Sequence, residues 1–398
     1  MMDKQRLHFF ILISIVTISG LSQGLLLPLI SVIFEKSGID SSLNGLHATA
    51  MYIGVLIVSP FLEKPLRKYG FKRIIMFGGA IVVLSLALFP VWHSVSFWFI
   101  LRLLIGIGDH VLHFGSQTWI TSSSPIHQRG RNISLYGLSF GVGFALGPLL
   151  VPLVHLNEAL PFFISSLLSL FGWFTLFLLK NEYPENEEAE KEKATSVRFF
   201  ETWKYAWPAL LLTFTYGFLE ASLHSTFPIY ALRNELNIRA VSIILPAFAI
   251  GGIVFQLPLG VLSDRFPRKK IILFSLIIGA VSFLLAQMLS PSVLGIIGSF
   301  FIAGMFVGSL FSLGMAYMAD LVPKHLLPAG NILCGILYSI GSICGPFLVG
   351  VILQYNSGFF FLVISLFLLS ISLAIAQPNL TKTKKIFFRK KRKNIDAF

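Results

Sequence analysis

Between Leu7 and Gln377 the chain returns again and again to uninterrupted apolar runs of about twenty residues, the length an α-helix needs to cross a bilayer. The runs are continuous rather than alternating, so they read as helices and not as barrel strands. Twelve are expected. Six cover roughly 7–34, 43–62, 74–92, 96–120, 132–154 and 160–179, and six more cover 206–232, 240–262, 271–289, 293–319, 329–353 and 358–377. Twelve spans occupy about 240 residues. Only short loops and two tails remain, with no room for a soluble catalytic domain. Charged residues make up 12% of the 398, against about 25% in soluble domains.

The net charge of +13 belongs to the edges of these runs and not to a nucleic-acid surface. With an even number of spans, the tails and alternate loops share one side, and that side holds 27 of the 31 Lys and Arg residues. Lys36, Arg233 and Arg239 lie on the other side, and Arg102 falls inside a span. Basic residues accumulate on the cytoplasmic side, so both termini are expected there. The apolar stretch after Lys4 and Arg6 is too long for a signal-peptide core and is expected to be retained as the first span. Cys334 and Cys344 share one apolar run, which excludes a disulfide framework and fits packing. Trp92, Trp98 and Trp203 are expected as interfacial anchors.

Displacing the sequence on itself by 197 or 198 positions brings two six-span halves into register. Gly143, Gly147 and Pro148 superpose on Gly341, Gly345 and Pro346, both sets reading G-x-x-x-G-P. Gly20 and Gln23 superpose on Gly217 and Glu220, and Lys72 and Arg73 on Lys269 and Lys270. The expected organisation is a bundle over 1–180, a linker over 181–205, a second bundle over 206–377 and a basic tail over 378–398. The linker carries Glu182, Glu185, Glu187, Glu188, Glu190 and Glu192 with no apolar face, and the tail carries eight basic residues suited to anionic headgroups. Two parallel repeats of six spans suit a transporter that rocks about a midplane cavity.

The loop after the eighth span reads Gly260-Val261-Leu262-Ser263-Asp264-Arg265-Phe266-Pro267-Arg268-Lys269. It resembles the G-x-L-x-D-R-x-G-R-K signature of the major facilitator superfamily, with Pro267 in place of the last glycine. The corresponding first-half loop keeps Gly70, Lys72 and Arg73 but has Arg67 where the family has its acid. The fourth span, with Arg102, Gly106 and Gly108, resembles the family's R-x-x-x-G-x-G motif, and the fifth resembles its exporter motif with Val151 and Pro152 replacing the trailing glycines. The resemblance covers essentially the whole chain. It implies an all-α membrane protein of twelve transmembrane helices in two pseudo-symmetric six-helix bundles. It also implies a cytoplasmic gate at Asp264, Arg265, Gly260 and Gly70.

Ionisable residues inside lipid are costly and are functional candidates for that reason. Arg102, Gly106, Asp109, His113 and Gln117 recur at helical spacing on one face of the fourth span, with His110 beside it. Arg102 with Asp109, and Asp109 with His113, can form a charge-paired network. Histidine titrates near neutral pH and poorly solvated carboxyl groups can do so too, which makes Asp109 and His113 a candidate proton carrier. Glu220 at mid-span, His224 one turn on, and Gln23 at the matching depth of the first span are candidates for substrate or proton binding. A structural polar cluster and packing hydrogen bonds are the plainer alternatives. His47, Asn44, Gln256, Trp119, Tyr338 and Asn331 are weaker candidates for the cavity wall. Gly143, Gly147, Gly341 and Gly345 permit close helix approach and Pro148 and Pro346 kink their spans, so these are hinge and packing elements.

No G-x-x-x-x-G-K-[ST] loop occurs, so an ion gradient and not ATP is the expected energy source. The expected function is secondary transport of a small organic solute, in the form of proton-coupled efflux. Import of a sugar or other metabolite is the alternative, and a membrane sensor on a transporter scaffold is the alternative of another class. Neither a catalytic constellation nor a metal site is expected, since Asp109, His110 and His113 sit on one helix. The expected partners are the solute, protons and the bilayer, with no nucleic acid and no cofactor. A monomeric, multi-pass protein of the cell membrane is expected.

Overall fold

A computed structural model describes residues 4–124, 129–184, 195–323 and 326–377. Most of the acidic linker run and the whole basic tail lie outside the described residues. Among those described, every regular element is helical. Twelve helices cross the molecule: α1 (Lys4–Lys36), α2 (Ser41–Phe61), α3 (Phe71–Val91), α4 (Val95–Ser123), α5 (Arg129–Leu146, continued as a 3-10 helix over Gly147–His155) and α6 (Leu160–Leu178). The second half follows with α7 (Thr195–Arg233), α8 (Ile238–Arg265), α9 (Arg268–Leu289), α10 (Val293–Leu321), α11 (Leu327–Tyr355) and α12 (Phe360–Ala376).

Eleven of the twelve are long and apolar enough to cross a membrane by composition alone. The exception is α7, a 39-residue helix whose lipid-depth segment is diluted by Thr213, Thr215, Tyr216 and Glu220. Those residues face protein and not lipid. From Ala221 to Ala231 every residue of α7 is buried, which makes it a central helix of its half. It also begins at Thr195, earlier than the apolar pattern predicts, because the amphipathic stretch Thr195–Lys204 continues the same helix.

The two halves repeat each other contact by contact. An added Cβ on Gly143 would strike the backbone of Thr17, and one on Gly341 would strike that of Phe214, a pair displaced by 198 and 197 residues. The same displacement relates Gly54 against Leu103 to Gly251 against Phe301, and Gly106 against Met51 to Gly304 against Phe248. Glycine at each point brings two helix backbones into contact, which is how helices associate where apolar burial alone gives no preference over lipid. The G-x-x-x-G-P motifs therefore clamp α5 to α1 and α11 to α7.

Their prolines act differently. At Pro148 the α-helix gives way to 3-10 winding, whereas Pro346 lies inside an unbroken α11. Pro152 follows Pro148 by one turn and removes a second backbone donor, while the matching position in α11 is Gly350. Only the first-half span is interrupted.

Contacts between the halves run from mid-helix toward the face opposite the termini. Gly45 on α2 meets Pro346 and Gly350 on α11, and Gly141 on α5 meets Ile253 on α8. Arg233 at the end of α7 holds Glu35 at the end of α1 with N–O distances of 2.5 and 3.1 Å, and donates to Leu353 O at 2.8 Å. On the termini side Gln117, Gln256 and Asn331 are exposed. The molecule is closed on the face opposite its termini and open toward them.

Trp92 and Trp203 are exposed, as interfacial anchors require, but Trp98 is not. It is 2% exposed, donates to Phe89 O at 3.0 Å and stacks on Phe34, so it belongs to the core.

Candidate functional site

Polar side chains gather at two centres, one in each half. The first is built on α4. Asp109 is buried, and its Oδ1 accepts a 2.7 Å hydrogen bond from Ser19 of α1. Gln23, one turn along α1, is the second side chain facing this carboxyl. Ser19 Oγ also lies 3.0 Å from His113 Nε2, and His113 Nδ1 lies 2.8 Å from the hydroxyl of Tyr136 on α5. Tyr136 in turn lies 2.9 Å from Ser116 Oγ. A chain of hydrogen bonds thus runs from Asp109 through Ser19 and His113 to Tyr136, away from mid-helix and toward the termini face.

The chain has a consistent polarity. With Asp109 ionised, Ser19 donates to it, His113 Nε2–H donates to Ser19, and Tyr136 O–H donates to His113 Nδ1. Each group accepts from the next, the order that lets a proton move along the row without any heavy atom moving.

Arg102, expected beside Asp109, stands apart from it. Seven residues of helix rise place the two about 10 Å apart along the axis, and their side chains find different partners. The Arg102 guanidinium is fully buried, approaches His47 Nδ1 at 2.9 Å and donates to Leu26 O at 3.2 Å. His47 Nε2 lies 3.2 Å from Val95 O. The pattern fits a neutral His47 that donates through Nε2 and accepts through Nδ1. His110 bonds Ser59 at 2.9 Å on another side of α4, and Gln117 is exposed. The charge-paired Arg102–Asp109 network does not form.

The second centre surrounds Glu220. Its Oε1 accepts from Tyr216 one turn earlier on α7 at 3.0 Å, and its Oε2 accepts a short hydrogen bond from Tyr338 of α11. The Tyr216 and Tyr338 rings stack at 6.1 Å with Phe311 of α10 edge-on to Tyr338 at 5.5 Å. Tyr52, on α2 of the other half, meets Tyr338 at 6.4 Å in a T-shaped contact and faces Ser342. Glu220 therefore sits on the seam between halves. His224 is buried deeper in that seam, 4.5 Å from the Phe144 ring of α5, with its Nδ1 unpartnered.

The repeat explains why the two centres differ. Position for position, Phe140 stands where Tyr338 does, Gln23 where Glu220 does, and His113 and Asp109 where Phe311 and Val307 do. One scaffold carries its acid on the fourth helix of the first half and on the first helix of the second.

The expected gate residues lie on the termini face. Asp264 is exposed, pairs with Arg268 at 2.5 Å within its own half, and Arg268 reaches Asp320 at 3.5 Å. Arg265 is exposed, and Gly260 has open space around it. Among the described residues neither Asp264 nor Arg268 shows a bond to the first half, as befits a molecule open on that side. Gly70 adopts φ +82°, where an L side chain is strained, and packs against Asn181 and Glu182 after α6. Trp119 is no cavity residue, since its indole donates to Glu182 at 2.6 Å and stacks on Phe71. Gln256 bonds Ser312 at 3.1 Å and Asn44 donates to Ser31 O at 3.1 Å.

Sequence reading overlooked Ser19, Tyr52, Tyr136, Tyr216 and Phe311. Tyr216 precedes Glu220 by one helical turn and Ser19 precedes Gln23 by one, so both were open to detection by spacing. Tyr52, Tyr136 and Phe311 meet their partners only through the rotation of separate helices.

The sequence model of the Major Facilitator Superfamily matches residues 12–230 and again 209–397, one match for each half. A transporter of Bacillus subtilis, the uncharacterized MFS-type transporter YfkF, is 55% identical over 373 residues, covering 93% of this chain and 95% of its own. The MFS-type transporter YcaD of Salmonella arizonae is 24% identical, with 81% of this chain and 82% of its own covered. Among solved structures, the fold matches nucleoside transporter NupG with a TM-score of 0.75 at 16% identity, over 92% of this chain and 98% of that one. It matches a POT family transporter in complex with 5-aminolevulinic acid with a TM-score of 0.76 at 13% identity, over 94% and 96%. Twelve helices in two repeating halves, a polar centre on their seam and a family match to each half make this chain a multi-pass membrane transporter of the major facilitator superfamily.

Proposed function

We propose that the protein exports a small amphipathic organic solute across the cell membrane in exchange for protons, with its termini in the cytoplasm. The observation that carries this reading is Glu220, a carboxylate at mid-membrane, held by its own half and faced by Tyr52 of the other. A group on the seam feels every change in how the halves meet, so its occupancy and the choice of open face are linked.

In the present state the centre is reached from the termini face, where 27 of 31 basic residues of the sequence gather. A solute enters there and settles against Glu220. Rocking of the bundles 1–180 and 206–377 then opens the opposite face, the solute leaves, and a proton takes its place on the acidic groups. Asp109 is the proton carrier in this cycle. Its hydrogen-bonded row through Ser19, His113 and Tyr136 points to the side on which the proton must be released.

The test is reconstitution in proteoliposomes with an imposed pH gradient. Lumenal pH is followed while lipophilic cations, neutral drugs and sugars are added to wild type and to Glu220→Gln. Solute-evoked proton movement that opposes solute movement and is lost in Glu220→Gln supports exchange. Co-directional movement would make the protein an importer or symporter. A solute flux indifferent to the pH gradient and to the substitution would overturn proton coupling.

A further inference from the structure

We infer that the centre around Glu220 is a binding site for an organic cation, an ammonium or other onium group carried on a small apolar body. The inference rests on the transport reading above, in that it takes this centre to be where the solute binds.

The first argument is charge. Glu220 accepts on both carboxylate oxygens, from Tyr216 on one and Tyr338 on the other, an arrangement suited to the ionised form. Among the described residues no Lys, Arg or His pairs with it. Two phenol hydroxyls orient a charge but do not cancel it, and an ionised group away from water is retained only against a compensating charge. The nearby cation, Arg102, is 0% exposed, and its two terminal nitrogens are turned to His47 and Leu26 O, not to Glu220. In the empty state a proton can supply that charge, and in the loaded state the ligand does.

The second argument is shape and polarity. Four aromatic rings cluster beside the carboxylate: Tyr216 and Tyr338, which bond it, stack on each other at 6.1 Å and 27°, and Tyr338 meets Phe311 edge-on at 5.5 Å and Tyr52 of the opposite half at 6.4 Å. Ring faces carry negative quadrupole density and attract cations, more so when desolvated. Among the described residues the site offers a carboxylate, π faces and tyrosine hydroxyls, and no N–H group is bonded to Glu220. The negative charge repels anions, and charge with π faces together favours a cation over a neutral solute of the same shape.

The third argument is access. Glu220, Tyr52, Tyr216, Phe311 and Tyr338 are all partly exposed although they lie at mid-membrane, whereas Asp109 is 2% exposed. The residues around Glu220 are therefore accessible in part, whereas the first-half acid is buried beneath its neighbours. Because Tyr52 belongs to the first half and the other four residues to the second, a cation seated here touches both.

The test uses the purified full chain and three monocations, tetramethylammonium, choline and benzyltrimethylammonium, with 3,3-dimethylbutan-1-ol as the uncharged isostere of choline. Binding is followed by calorimetry for wild type, Glu220→Gln and Phe311→Leu. The expected result is that at least one cation binds, and that choline binds at least tenfold more tightly than its isostere. Glu220→Gln should lose at least tenfold and Phe311→Leu about threefold. No binding by any of the three cations, equal binding of choline and isostere, or Glu220→Gln affinities within twofold of wild type would each overturn the inference. Should Glu220→Gln fail to fold, the choline-to-isostere ratio and Phe311→Leu decide alone. Lumenal pH in liposomes separates this site from the transport reading. Cation binding or flux without proton movement leaves the cage standing and removes proton coupling, while proton movement evoked only by neutral or anionic solutes does the reverse.

Discussion

At the scale of single residues, Tyr136 isolates what the hydrogen-bonded row on α4 contributes. Its hydroxyl meets His113 Nδ1 at 2.8 Å and Ser116 at 2.9 Å, while its ring contacts His113 edge-on and is buried. Tyr136→Phe keeps the ring and removes only the hydroxyl. The fold should lose about 1 kcal/mol, the usual net worth of a buried hydrogen bond. Proton-driven transport should slow by roughly tenfold, since the row then ends at His113 without its outer donor. Solute exchange at equal pH on both sides should be unchanged, because that half-cycle moves no net proton. Slowing of both rates together would make Tyr136 a packing residue. The Glu220→Gln comparison belongs to this scale too, and there loss of solute-evoked proton movement is expected.

At the scale of elements, glycine contacts decide how helices sit. An added Cβ on Gly143 or Gly341 meets backbone of the facing helix, which cannot swing aside as a side chain tip does. Gly143→Leu and Gly341→Leu should therefore each lower thermal stability strongly, by more than the roughly 1–3 kcal/mol of ordinary overpacking. Gly260→Ala, with open space around it, should leave stability within about 0.5 kcal/mol and serves as the control. Gly70→Ala should cost about 1–3 kcal/mol for its backbone conformation, and more from crowding against Asn181. Melting of the purified proteins orders the four, and a stable Gly341→Leu would contradict the clamp.

The same contacts show what the sequence could disclose. The twelve spans and the 197–198 displacement were legible because both live in patterns along one chain, and even α7 was recognisable despite the polar residues that lower its hydropathy. Glu220 was legible because an acid at lipid depth stands out. Its tyrosine cage was legible only in part, through Tyr338, since Tyr52 and Phe311 depend on how helices of different halves rotate toward each other. The Arg102–Asp109 pair failed for a related reason. Sharing a face of α4 set their direction, but the nearest groups on α1 and α2, acceptors for Arg102 and the Ser19 donor for Asp109, set their partners.

At the scale of the whole molecule, the state seen here is held by what closes the face opposite the termini. Glue of small residues, Gly45 against Pro346 and Gly350, gives shape without switching. The ion pair of Arg233 with Glu35 is different, since it is bidentate, joins the last turn of α1 to the last turn of α7, and is only partly exposed, at 28% and 13%. Partial burial shields it from salt more than a surface pair, so a contribution of about 1 kcal/mol to this state is reasonable. A two-state equilibrium shifts about fivefold for that energy. Spin labels at Leu156 and Tyr355, exposed on this face in different halves, read the closure directly as a distance distribution. Glu35→Gln should enlarge the longer-distance population about fivefold, and Arg233→Gln should enlarge it by a similar factor, because the bond from Arg233 to Leu353 O lies within the second half and does not join the two. Exchanging the two charges, with Glu35→Arg and Arg233→Glu together, should recover much of the closed population, since the pair across the halves is restored with its polarity reversed. Distance distributions indifferent to all three variants would mean that the helix contacts alone hold the closed face, and that rocking is governed by the seam around Glu220.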